Sequence, residues 1–200
     1  MNLNTDKFAR IISTIFVPPS FTLLTFIFLA FYLETEIAKI LIIISVALIF
    51  GVIFPILLFV YYRKKGTIVD IDASIKEERT IPMLISVLFF TAGFIILLYA
   101  EVNLIILTFW FCYISNALLT VVINKYWKIS AHAMGAAGPV AVVCFVLGYP
   151  GLIFLLIAAL VAWSRVQLKC HTIAQVLAGG LLAFISVYVQ IYFVVFYAGR

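Results

Sequence analysis

The chain contains two histidines, His132 and His171, and each opens an apolar run beside cations and small residues. The first lies in Asn124-Lys125-Tyr126-Trp127-Lys128-Ile129-Ser130-Ala131-His132, the second in Ser164-Arg165-Val166-Gln167-Leu168-Lys169-Cys170-His171-Thr172-Ile173-Ala174-Gln175. A third polar stretch, from Asp70 to Pro82, carries Asp70, Asp72, Lys76, Glu77, Glu78 and Arg79. This set of residue types suits phosphate. Helix N-termini offer free N–H groups and partial positive charge to an anion at Ser130–His132 and at His171. Arg165 can grip phosphoryl oxygens bidentately, and Lys76, Arg79 and Lys128 add positive charge. One neutral imidazole can attack phosphorus while the other protonates the departing alkoxide. No Asp/His cluster has metal-ligand spacing, so the expectation is no metal and no cofactor, with the cations doing the electrostatic work.

The elements that hold these groups must live in lipid. Of 200 residues, 66% are hydrophobic and 10% charged, against about 45–50% and about 25% in soluble domains. With a mean hydropathy of +1.28, too few polar side chains exist to cover a water-facing surface. A soluble globular domain, a disordered chain, collagen and a disulfide scaffold are all excluded. The net charge of +5 is spread over short connections instead of one basic face, so nucleic acid is not an expected partner. Cys112, Cys144 and Cys170 have neither disulfide nor zinc spacing.

Charge-free apolar stretches run over 11–33, 40–62, 80–100 and 102–124. Each matches the roughly 20 residues that cross a hydrocarbon core, and backbone groups in lipid require helices. The stretch 129–164 is too long for one crossing and contains Gly148-Tyr149-Pro150-Gly151, which is turn chemistry. It divides into spans near 133–147 and 152–164, and a last span covers 172–197. The expectation is a single all-α integral membrane domain over residues 1–200, a polytopic bundle of six to seven spans. No cleavable leader is expected, and the first apolar segment stays as an anchor.

That division puts the N-terminus and the connections 63–80, 124–132 and 164–171 on one side. Lys7, Arg10, Arg63, Lys64, Lys65, Lys76, Arg79, Lys125, Lys128, Arg165 and Lys169 fall there, against Lys39 and Arg200 opposite. By the positive-inside rule the rich, motif-bearing side is cytoplasmic, in the cell (plasma) membrane.

Ser164-Arg165, five residues, then His171 resembles the third motif of the type 2 phosphatidic acid phosphatase (PAP2) superfamily, S-R-x5-H-x3-D, with Gln175 at the Asp position. Ser130-Ala131-His132 is similar to the S-G-H core of its second motif. The resemblance covers about 124–190. Its first motif, K-x6-R-P, is matched only loosely by Lys76, Arg79 and Pro82. The resemblance implies a PAP2-like bundle that hydrolyses a lipid phosphomonoester or diphosphate, on a glycerolipid or an isoprenoid. His171 would form a phosphohistidine, His132 would act as general acid, and Arg165 and Ser130 would bind phosphate oxygens. Lys128, Arg79 and Lys76 would supply further charge, and Gln175 would orient the nucleophile. The substrate and membrane lipids are the expected partners. Bacterial members of the family carry the site on the outside, opposite to the charge count.

Two other readings compete. Gln175 brings no charge, which favours a catalytically silent lipid-phosphate binding or transport protein, or a carboxylate supplied by Glu77, Glu78, Asp70 or Asp72. The Asp70/Asp72 and Arg79-Thr80-Ile81-Pro82 stretch also resembles UbiA-type prenyltransferases, which need two acidic magnesium sites and more spans.

Overall fold

The computed structural model describes residues 3–72 and 75–198, so Ala73, Ser74 and Arg200 of the stretches above lie outside it. Among the described residues all regular structure is helical: α1 (Leu3–Ile15), α2 (Pro18–Leu33), α3 (Ile37–Leu48), α4 (Phe54–Lys64), α5 (Thr80–Tyr99), α6 (Leu104–Tyr126), α7 (Ala131–Leu147), α8 (Leu155–Gln167) and α9 (Ile173–Ala198). The apolar, all-helical architecture expected from composition is the one these residues have. Among the described residues five helices are long and apolar enough to cross a bilayer, and six if α1 and α2, bent by 49° at their junction, count together as one span.

Prolines explain the breaks. Pro18 and Pro19 open α2, where a missing N–H costs nothing and φ is already helical. α3 and α4 form one 28-residue helix interrupted by a π-turn, Ile49–Ile53, just ahead of Pro55; Pro has no N–H to donate to the regular ladder. The expected division of 129–164 falls at Gly148, whose φ of +70° ends α7. The lengths differ from expectation, however. Tyr149–Gln167, begun by a 3-10 segment, is long enough to span at 19 residues. The short element is α7, at 17 residues, about 26 Å at the helical rise.

α7 is the centre of the bundle, buried from Ala133 to Cys144 on nearly every face. Small residues there let its neighbours approach closely, as helices in lipid require. α9 packs along it, α2 crosses it near Pro18 and Gly135, and α8 folds back beside it. A second core lies among α2, α3, α5 and α6, where Trp110 fits against Gly51 and Gly93 and donates its indole N–H to the Phe90 carbonyl at 2.7 Å. Polar glue joins α6 to α9: Ser186 donates to Asn116 at 2.7 Å and Ser115 to Gln190 at 2.9 Å.

The connections gather as the charge count anticipates. At one end Arg10 meets Asp72, Lys76 donates to the Lys125 carbonyl, Lys128 to the Cys170 carbonyl, and Gln167 to Asp6. At the other, Lys39 donates to the Glu101 carbonyl and Glu34 accepts the Asn103 N–H.

Candidate active site

Two helix starts face each other at the rich end. Ser130 caps α7, its hydroxyl accepting the Ala133 N–H at 3.3 Å, and it is completely buried. His132 follows in the first turn of α7. The start of α9 is a capping box. Thr172 accepts the Gln175 N–H at 3.3 Å while Gln175 Oε1 accepts the Thr172 N–H at 3.1 Å.

That box determines what His171 presents. The Thr172 N–H can only donate, so the atom of Gln175 facing it is the amide oxygen. The same oxygen lies 3.1 Å from His171 Nδ1, which must therefore carry the proton. Nε2 is left with its lone pair. Gln175 thus fixes the tautomer of His171, without adding charge.

The turn between α8 and α9 brings Arg165 to the same place. Its backbone carbonyl accepts N–H groups from Cys170 at 3.1 Å and His171 at 3.3 Å, with Lys169 in the left-handed region at φ 56°. The Arg165 side chain is 1% exposed. Its Nη1 donates to Ser13 Oγ at 2.6 Å and to Asp72 Oδ1 at 2.7 Å. Nε and Nη2 are buried and have no hydrogen-bond partner among the described residues. These two nitrogens form the side-on fork of a guanidinium, the edge that takes an oxyanion through two parallel bonds. A buried donor left unmade costs about 1–3 kcal/mol, so an unpaired fork is a place prepared for an acceptor.

Arg79 and Lys128 complete a cationic wall. Arg79 is buried and reaches the Ile129 and Asp72 carbonyls, both at 3.4 Å. Lys128 donates to the Cys170 carbonyl at 2.7 Å. Charge interactions link His171 to Arg79, Lys128 and Arg165, and His132 to Arg165, Asp72, His171 and Arg79. Lys76 is not brought into this group: it bonds the Lys125 carbonyl and pairs with Glu77 at 3.7 Å. Glu78 accepts the Val69 N–H, so neither glutamate stands in for the charge that Gln175 lacks. A cavity of about 300 Å³ adjoins His132 and Asp72, walled by Pro18, Pro55, Ile56 and Phe59. It offers an apolar neighbour to the polar site.

Burial and the cations Arg79 and Lys128 depress His171 to about 3, so its imidazole is neutral at ordinary pH. Burial, then Arg79, also lowers Lys128, and burial raises Cys170. Burial raises Asp72, but hydrogen bonds and charge from Arg165 and Arg10 outweigh it and hold the carboxyl at about 2. Unfolding frees His171 to take up a proton below about 6.5, so its contribution is complete above that pH and fades as pH falls towards 3. Asp72 acts in the same sense at lower pH, between 3.8 and about 2. The melting temperature in detergent is therefore expected to fall from pH 7 to pH 4 more steeply in the native chain than in His171→Gln. Parallel curves would contradict it.

α9 approaches Ser130 because residue 179 lacks a side chain. A Cβ on Gly179 would sit 2.8 Å from the Ser130 carbonyl oxygen, a backbone atom that cannot turn aside. Gly179→Ala is expected to cost about 1–3 kcal/mol by overpacking and to part Ser130 from Gln175, whose backbones bond at 3.4 Å. Gly180→Ala, meeting only Ala137 at 3.8 Å, is the control and should melt within a degree or two of the native chain. Equal melting of the two variants would contradict this.

Of the residues singled out from the sequence, the structure gathers the histidines, Arg165, Ser130, Lys128, Arg79 and Gln175 at this end; Ser13 carries no signal in the sequence, which also gives Asp72 no partner. The sequence offers Asp72 as a spare carboxylate or as part of the prenyltransferase-like stretch, and Arg10 as a topology charge. Their pairing spans 62 positions and leaves no local pattern. Comparison with protein-family models, curated proteins and solved structures finds no match.

Proposed function

We propose that this protein is a membrane lipid-phosphate phosphatase of PAP2 type, acting through a phosphohistidine. The unpartnered, buried fork of Arg165 beside a neutral His171 of defined tautomer carries the reading. In it, phosphate oxygens take Arg165 Nε and Nη2, with Arg79 and Lys128 adding charge and Ser130 a further contact. His171 Nε2 attacks phosphorus, the bond from phosphorus to the lipid oxygen breaks, and that oxygen receives the proton that His132 takes up when the phosphate brings its negative charge beside the imidazole. Water then cleaves the phosphorus–nitrogen bond, giving its proton to His132 and releasing inorganic phosphate. Pre-organised cations in a dry site favour the charge that develops. The apolar cavity beside His132 suits the acyl or prenyl chain of the substrate. The excess of Lys and Arg at this end favours a cytoplasmic site.

A binding or transport role without hydrolysis is the second reading, favoured by the uncharged Gln175. A prenyltransferase role is disfavoured because the Asp72 carboxylate is engaged by Arg10 and Arg165. The test is brief exposure of the purified protein to phosphate-labelled phosphatidic acid, phosphatidylglycerol phosphate or a polyprenyl diphosphate, without added metal, followed by alkaline quench. Acid-labile label on His171, with release of inorganic phosphate, is expected. Lipid binding with neither label nor release would move the conclusion to the second reading.

A further inference from the structure

Resting on that reading, we propose that Asp72 is a positioning residue: together with Ser13 it holds Arg165 by Nη1 and so aims the Nε/Nη2 fork at the phosphate. Three observations meet here. Asp72 Oδ1 and Ser13 Oγ both accept from Nη1, at 2.7 and 2.6 Å, so the guanidinium cannot rotate without losing two charge-assisted bonds. Asp72 is itself held, because Arg10 Nη1 donates to both its oxygens at 3.0 and 2.9 Å. Arg10 and Ser13 stand three positions apart on one face of α1, which packs against α8. The first helix therefore belongs to the site, although it bears none of the resemblance motifs. The connection between α4 and α5 is bound to it by Asp72.

A negative charge beside a phosphate site normally weakens binding. If Asp72 were a bystander, neutralising it would tighten the site; if it positions Arg165, neutralising it loosens the fork. The sign of the change separates the two. Ser13→Ala makes the same point without altering charge.

The experiment uses the full-length protein in detergent, comparing the native chain with Asp72→Asn and Ser13→Ala on phosphatidic acid. Thermal melting reports the folded fraction. The expected result is KM raised about tenfold to a hundredfold in Asp72→Asn, with kcat changed less, and a smaller rise in Ser13→Ala; loss of a hydrogen bond to a charged group has that size. A lowered or unchanged KM in folded Asp72→Asn overturns the proposal and leaves the phosphatase reading standing. Should Asp72→Asn not fold, Ser13→Ala decides by the same criterion. If the native chain releases no phosphate, the phosphatase reading fails, and the melting shift produced by inorganic phosphate becomes the readout. Loss of that shift in the variants supports the positioning role at a non-hydrolytic site. Persistence of the shift in the variants, or its absence from the native chain, overturns it.

Discussion

His171→Ala is expected to reduce phosphate release by roughly 10⁴–10⁶-fold, the scale on which removal of a nucleophile or its base acts in covalent catalysis. No other side chain can take over. His132 opens a different helix. The buried Cys170 thiol, raised by burial, stays protonated and unreactive. The loss should not come from unfolding. Among the described residues the imidazole of His171 bonds to Gln175 alone, and the reciprocal Thr172–Gln175 bonds that start α9 do not need the imidazole. Melting within a few degrees of the native chain, with release at background and lipid binding retained, is the expected pattern. Release within tenfold of native would remove the phosphohistidine from the mechanism.

Arg165→Lys is the second large effect, about 10²–10³-fold on kcat/KM, even though the charge is kept. The magnitude is that of deleting an aimed donor to a charge-bearing oxygen. In the proposed mechanism arginine does two jobs with separate edges: Nη1 is anchored to Ser13 and Asp72, and the fork, which has no partner among the described residues, takes the phosphate. An ammonium is a single point of charge. It can pair with Asp72 or reach the phosphate, and it cannot present two parallel N–H groups while anchored. Steady-state kinetics on phosphatidic acid, with melting as the control for folding, makes the check. Activity within threefold of native would mean that positive charge alone suffices.

The way Gln175 fits the site shows how far one-dimensional reasoning reaches. The resemblance puts it at the position of the residue that orients the histidine, and in the structure its amide oxygen lies 3.1 Å from His171 Nδ1. Spacing could not show that the same oxygen also accepts the Thr172 N–H, which identifies it as the amide oxygen and so defines the tautomer. Lys76 illustrates the opposite case. It lies three positions before Arg79, yet the chain turns it towards Lys125 and Glu77 while Arg79 turns towards Ile129.

What the amino-acid sequence determined by itself was the solvent, the helices and the ends. Hydrocarbon admits only backbone that satisfies its own hydrogen bonds, so apolar length specifies helices, and charge marks their ends. The positions of Arg10, Arg165, His132 and His171 relative to those ends followed. Tertiary packing alone decided that α1 lends Ser13 and Arg10 to the site, that Asp72 closes on Arg165 across 93 positions, and that α7, the shortest apolar span candidate, lies at the centre. Helix association in lipid depends on shape and a few hydrogen bonds between remote side chains. Such contacts leave no periodicity along the chain, whereas transfer into lipid leaves it in every span.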